Sequence, residues 1–305
     1  MSDQVTTAHV EQFRSQLTLQ AQQMTSKLES GVSQDGRVDT IGKRVAFDLL
    51  GPVEAIQKTS RHMDTPLVET PHDRRWATPV RWVWADLIDP DDAVRILTDA
   101  QGGYAKTAVA ALNRRKDEIL RDSFFAAATS GEDADSSVSF PSGQQVVVAA
   151  HDFDPWATSV AAGDVSLTVG KLLEARALFG DADVDLDAEN LQIAVRQRHI
   201  QHLMREIEAT SSDFASVKAL VNGEINTFMG FNFRRYENLD VDGSSDDLVP
   251  VWAPSGIGLG MAQDIQVKVD IRPDKNYAVQ VWAALDMGAV RKEEVKVVQI
   301  ACDPG

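Results

Sequence analysis

Residues 45–86 narrow what this chain can fold into more than any other part of it. They hold four of its eleven Pro residues (Pro52, Pro66, Pro71, Pro79) and three of its six Trp residues, with no helical period. Trp76, Val80, Trp82 and Trp84 fall on even positions, the two-residue period of a strand with one apolar face. Arg74, Arg75 and Arg81 stand among them. The segment reads as a two-stranded excursion, 45–69 outward and 74–85 back. A long hairpin with few core partners is unstable by itself, so it must lie on something. That support is either its own domain or a neighbouring molecule, because large aromatics and Arg are enriched at protein interfaces. In the second case Arg74, Arg75, Trp76, Trp82 and Trp84 are contact residues.

The segments on either side are helical in pattern. Val10, Phe13, Leu17, Ala21, Met24 and Leu28 recur at spacings of three and four, which predicts one helix stripe ended at Gly31. Such a stripe packs on its own core or forms an arm on a neighbour. Past Asp89-Pro90-Asp91-Asp92 a short helix is expected to break at Gly102-Gly103. A long one then covers 104–128, a rod of about 37 Å. Ala108, Leu112, Ile119, Leu120 and Phe124 lie on one side of it. Arg114, Arg115, Lys116, Asp117, Glu118, Arg121 and Asp122 supply a mixed-charge face, expected to be solvated or to lie at subunit seams. A strand is predicted over 144–150 and another over Leu191–Val195, with helices over 169–179, 197–207 and 213–221. The last third alternates (Ile265, Val267, Val269, Ile271; Tyr277, Val279, Val281; Val295, Val297, Ile300), which predicts an antiparallel sheet. The class is α+β, in one or two domains for 305 residues.

Several functions fail on the residues. With 30 Lys+Arg against 46 Asp+Glu, the net charge of −16 does not suit gripping nucleic acid. The single cysteine, Cys302, excludes a disulfide framework and a multi-thiolate zinc site. No apolar run reaches membrane-spanning length, and the first residues lack a secretory pattern, so folding in a cytosol is expected. Gly256-Ile257-Gly258-Leu259-Gly260 resembles a dinucleotide loop, but its third Gly comes one place early and strands follow instead of a helix. Asp181, Asp183, Asp185, Asp187 and Glu189 lack the Gly and the terminal Glu of a calcium loop. His199, His202 and Glu206 share a helical face without the zinc-hydrolase pattern, and both His are expected at the surface. No cofactor, metal or catalytic residue is expected, and the chain is read as not an enzyme.

The order of the elements resembles a tailed-phage major capsid protein with the Hong Kong 97-like fold, in the group with podovirus-like capsids. The resembling phrases run from Arg74-Arg75 through Asp86-Leu87-Ile88-Asp89 and Asp91-Asp92 to Ala110-Ala111 with Arg114 and Asp117. Ser212-Asp213-Phe214, 218–223, 228–231, Asp274-Lys275, Gln280-Val281 and Gly288-Ala289 with Arg291 continue it. The resemblance implies an N-terminal arm (1–44), an extended loop (45–86), and a peripheral domain (87–165 and 265–305) with spine helix 104–128. Residues 166–264 would form the axial domain. It implies self-assembly into pentamers and hexamers of an icosahedral shell that encloses double-stranded DNA without specific binding, and no membrane. Expected partners are a scaffolding protein, a portal and, in some shells, a cement protein. Phe13, Leu17, Met24, Leu28, Arg114 and Arg115 join the hairpin residues as expected inter-subunit contacts. Lys58 is the only Lys between 45 and 86, so no covalent joining of subunits is expected. An encapsulin-like compartment or gene-transfer-agent shell would use the same fold, and a nucleotide-cofactor enzyme using 256–260 is the alternative of another class.

Overall fold

A computed structural model describes residues 20–33, 37–39, 42–65, 67–88, 100–146, 166–205 and 227–304. In chain order the first elements are β1 (Arg37–Asp39), β2 (Val45–Leu50), β3 (His72–Ala77), β4 (Val80–Ile88) and α1 (Ala100–Phe125). Next come β5 (Ala128–Ser130), β6 (Ser136–Val138), β7 (Gln145–Val146), α2 (Val169–Asp181), β8 (Leu191–Val195) and α3 (Gln197–Arg205). The last are β9 (Thr227–Phe228), β10 (Phe231–Arg235), β11 (Asp240–Val241), β12 (Asp247–Trp252), β13 (Ile257–Arg272), β14 (Ala278–Arg291) and β15 (Val297–Cys302). The α+β class stands.

These strands make three sheets, in the orders β1-β13-β14-β4, β7-β15-β12-β8-β10-β9 (with β11 beside β12) and β2-β3-β5-β6. The expected single C-terminal sheet is therefore split. β13 and β14 go to the first sheet, whereas β15 pairs antiparallel with β12 and parallel with β7 in the second. The turn between them causes the split: Lys292 N donates to Gly256 O (2.8 Å) and Ala253 N to Lys296 O (3.0 Å), which turns the chain back toward β12. β8 is buried at all five positions, with β10 parallel on one side and β12 antiparallel on the other. That placement accounts for its uninterrupted apolar run.

Helix α1 is 26 residues long, about 39 Å, and does not break at Gly102-Gly103 as expected. Each Gly costs roughly 1 kcal/mol in a helix, but Tyr104 and Ala105 pack on Ile88 and Val281 just beyond them. At the end of the helix a buried cation gathers the carbonyls of its last turn and of the chain beyond it. Arg291, fully buried, donates from Nη1 to Phe124 O (2.7 Å) and Ala126 O (3.0 Å) and from Nη2 to Val138 O (3.3 Å). Helix α2 begins on Thr168, whose hydroxyl accepts from Lys171 N (3.3 Å). The expected strand 144–150 is described only as β7, and helix 213–221, Glu206 and the short helix through Leu97 lie outside the described residues.

The chain divides into two units. One comprises Met1–Thr25, Arg81–Arg115 and Gln263–Asp286, the other Ser26–Val80, Lys116–Ala262 and Met287–Gly305. No helix among the described residues is long and apolar enough to cross a membrane.

Candidate assembly surfaces

The hairpin stands on a fixed base. β2 and β3 pair antiparallel from Val45 opposite Ala77 to Leu50 opposite His72. Val45, Phe47 and Ala77 turn inward onto Ala128 and Val290. They sit directly on β13: a Cβ at Gly258 would lie 2.7 Å from the Phe47 ring and one at Gly260 2.8 Å from Val45 Cγ2. The residues that resembled a cofactor loop are thus strand backbone kept bare so that the hairpin base can approach. Ile257 and Leu259 between them are fully buried. No helix follows, so the dinucleotide alternative is overturned.

Beyond this base the strand pairing ends, and the expected outward strand 45–69 reaches only Leu50. Gly51 N donates to Pro71 O (2.9 Å) and closes a neck. Past the neck, 51–71 holds no strand among its described residues and almost every side chain is exposed. The returning limb is likewise two strands, interrupted at Thr78-Pro79, and β4 leaves for the first sheet.

Several hairpin residues make contacts within the protomer. Arg75 is 4% exposed and ion-paired to Asp73 and to Glu294 (3.2 Å). Trp76 is half-buried and donates from its indole to Gly131 O (2.7 Å), with Arg74 over its ring at 5.5 Å. Arg74 also reaches Asp48 (2.5 Å) from a more exposed position. Trp84 packs with Tyr104 and Val279 against Ile88 and Val281. Trp82 lies under the Arg115 guanidinium, 3.7 Å from ring centroid to Cζ. The period-2 stripe is real, yet in Trp82 and Trp84 it faces the chain's own helix; the opposite face of β4 exposes Val83 and Leu87. Trp82→Ala should therefore lower protomer stability, by about 2 kcal/mol from lost packing and the lost cation–π contact. Urea denaturation of unassembled protein measures it, and an unchanged midpoint would return Trp82 to the neighbour.

A second fixed base holds the N-terminal segment. The Asp117 carboxylate, fully buried on α1, accepts from Ser26 Oγ (2.5 Å), Lys27 N (2.9 Å) and Leu28 N (3.0 Å). Lys116, 3% exposed, pairs with Glu29 (3.2 Å), which also binds Arg37. Arg234 donates to Lys27 O (2.9 Å) and Ser30 Oγ (2.5 Å), and the Trp252 indole donates to Gly31 O (3.0 Å). Residues 26–32 are thus a strap whose first amides are held by the Asp117 side chain, while Gly31 N and Val32 N bond back to Leu28 O (2.8 Å) and Glu29 O (3.2 Å). The predicted helix is absent over 20–28, and only the turn Glu29–Gly31 is helical. Leu28 is 1% exposed within the protomer, whereas Met24 is 41% exposed. Arg114 binds Gln22 Oε1 (2.9 Å) and Asn113 binds Met24 O (2.8 Å). Phe13 and Leu17 lie outside the described residues. The mixed-charge face of α1 is corrected likewise: Lys116 and Asp117 point inward to this strap.

His199, expected at the surface, is fully buried on α3, its Nε2 3.1 Å from Asp247 Oδ2 at the start of β12. Arg196 Nη1 stands 2.7 Å from Asp247 Oδ1. Burial, with Arg196, His202 and Lys171 nearby, pushes the His199 imidazole down to about 4. The folded chain thus takes up this proton less readily than the unfolded chain, whose His titrates near 6.5. Stability is full above pH 6.5 and falls as pH drops toward 4. Asp247, raised by burial, titrates in the opposite sense at the acid end. Melting temperature against pH should fall less steeply between pH 6.5 and 5 for His199→Gln than for the parent chain. Identical slopes would mean the imidazole is not the group responsible.

The comparisons agree with this geometry. The structure is similar to the capsid of Ralstonia phage GP4 (TM-score 0.75, 11% identity, 98% of this chain and 97% of that one). It is similar also to the capsid of cyanophage Pam1 (0.73, 12%, 98% and 97%). A gene-transfer-agent particle capsid matches too (0.63, 13%, 99% and 97%). These likenesses show the fold, which is that of phage capsid proteins. A comparison with curated proteins returns no match. The family described as phage capsid protein matches residues 5–304, and with nearly the whole chain covered, this protein belongs to that family.

Proposed function

We propose that the chain is the major shell subunit of a tailed phage, closing into rings of five and six that build an icosahedral wall around double-stranded DNA. The observation that carries this is the hairpin tip. Leu67 is 95% exposed, Ile56 55% and Val53 52%, on an excursion that no other element among the described residues covers. Exposed apolar residues gathered on one projection mark a surface completed by another molecule. With the base fixed by Phe47, Arg75 and the bare glycines of β13, the tip can be held out rigidly to a neighbouring copy. Exposed Met24, just ahead of the strap at Asp117, is a second candidate contact. Heterologous contacts of this kind, repeated about rotation axes, close rings. The net charge of −16 suits a wall that contains DNA without gripping it.

In this reading 1–44 is the arm, 45–86 the extended loop, 104–128 the spine of a peripheral domain completed by 87–165 and 265–305, and 166–264 the axial domain. Assembly takes place in the host cytoplasm with a scaffolding protein and a portal, and a cement protein is an optional outer partner. A gene-transfer-agent shell differs in its cargo and not in the subunit. Negative-stain microscopy of the purified chain, alone and with its scaffold, tests the reading. Closed shells of uniform diameter are expected, and a protein that stays monomeric under both conditions would overturn it.

A further inference from the structure

The outer half of β13 has a bare edge. β14 lies on one side of this strand, and β1 covers the other side only at Leu259, Gly260 and Met261. Among the described residues no strand pairs with 263–272 there. Over that stretch Ile265, Val267, Val269 and Ile271 alternate with Gln266, Lys268, Asp270 and Arg272. The apolar side is uncovered: Val267 is 37% exposed, Val269 44% and Ile271 62%. A long edge strand with an open apolar face is a template for another strand.

We propose that this edge pairs antiparallel with the same edge of a second copy, about a two-fold axis through Val269. The register follows from the side chains. Centred on Val269, the pairing sets Val267 opposite the other copy's Ile271, Val269 opposite Val269, and Lys268 opposite Asp270. Centred on Lys268, it opposes two Lys; centred on Asp270, it opposes two Asp and sets Lys268 against Arg272. Like charges directly opposed disfavour both. A pairing centred between residues puts the apolar face of one copy beside the charged face of the other. Centred on Val267, it opposes Asp264 and Asp270, and centred on Ile271 it pairs only 270–272 before β13 ends at Arg272. The Val269 register satisfies both faces over the longer stretch, and it is isologous, with each copy giving the same patch. The inference rests on the shell-subunit reading, because an icosahedral wall supplies the two-fold axes between rings on which such a contact sits.

Val269→Cys tests it. Directly opposed residues of an antiparallel pair have Cα atoms about 4.5–5.5 Å apart, within reach of a disulfide. The native Cys302 is fully buried and its thiol pushed up to about 12, so it stays silent. Mild oxidation of assembled particles should convert most of the Val269→Cys chain to dimers on non-reducing gels. Val241→Cys, at a position 55% exposed on β11, should give none. Particles mixed from Val267→Cys and Ile271→Cys chains should give dimers that neither gives alone. Should Val269→Cys not assemble, the charge pair decides. Lys268→Glu should lower particle yield several-fold, and adding Asp270→Lys should restore it. Normal shells without Val269 dimers, or Lys268→Glu shells at full yield, would overturn this contact and leave the shell reading intact. Absence of shells from the parent chain would instead defeat that reading.

Discussion

Asp117→Ala should lower protomer stability by about 3–5 kcal/mol, the range for removing one partner from a buried charged network. Its carboxylate is the acceptor for Ser26 Oγ, Lys27 N and Leu28 N. Of these Leu28 is buried with it, so the freed donors cannot all turn to water. The same change should release the strap that holds the N-terminal segment to α1. Limited proteolysis of unassembled protein should then cut within 20–30 at least tenfold faster than in the parent. Asp117→Asn keeps one acceptor oxygen and should lose less than half as much. Equal stability for Asp117→Ala and the parent would mean that the strap is held by Arg234 and Trp252 alone.

The other large effect is expected at Gly288. A Cβ there would lie 2.4 Å from Thr78 O, 2.6 Å from Thr78 C and 2.9 Å from Pro79 N. These are backbone atoms, so no rotamer change relieves the overlap, and the chain between β3 and β4 must move. Gly288→Ala should cost about 3 kcal/mol or more in denaturant unfolding, the scale of severe overpacking. Gly143→Ala, where nothing lies within 4 Å of the added carbon, should be within about 0.5 kcal/mol of the parent. Because this turn is where the hairpin's base ends, Gly288→Ala should also reduce shell formation from whatever protomer still folds.

How much of this was legible depends on what each residue signals locally. Leu191–Val195 is read correctly because a short apolar run between polar flanks describes a strand buried on both sides. The body of α1 is read from its stripe, but its start is not, since Gly102-Gly103 signals a break that packing of Tyr104 and Ala105 overrides. Trp76, Trp82 and Trp84 show that one face of the excursion is apolar. A period cannot show whose surface the face meets, and for Trp82 and Trp84 it is the chain's own. Asp117 and His199 are invisible for a related reason: each sits in a charged run that reads as solvated, and partners 89 to 91 residues away for Asp117 make it a core residue. Gly258 and Gly260, alternating with Ile257 and Leu259, did carry a signal. Bare positions at every second residue, on one face of a strand, mark close approach of another backbone or ring, which here is the hairpin base.

Backbone exchange compared between assembled particles and dissociated protomers tests most directly whether the hairpin tip, and not its base, is the inter-subunit element. Amides of 53–65 and 67–70 have no strand partners among the described residues and should exchange at least tenfold more slowly in particles. Amides of Val45, Phe47, Arg75 and Ala77, paired within the protomer, should be protected in both states. Equal exchange of the tip in particles and protomers would contradict the account, because it would leave the exposed Ile56 and Leu67 uncovered in the shell.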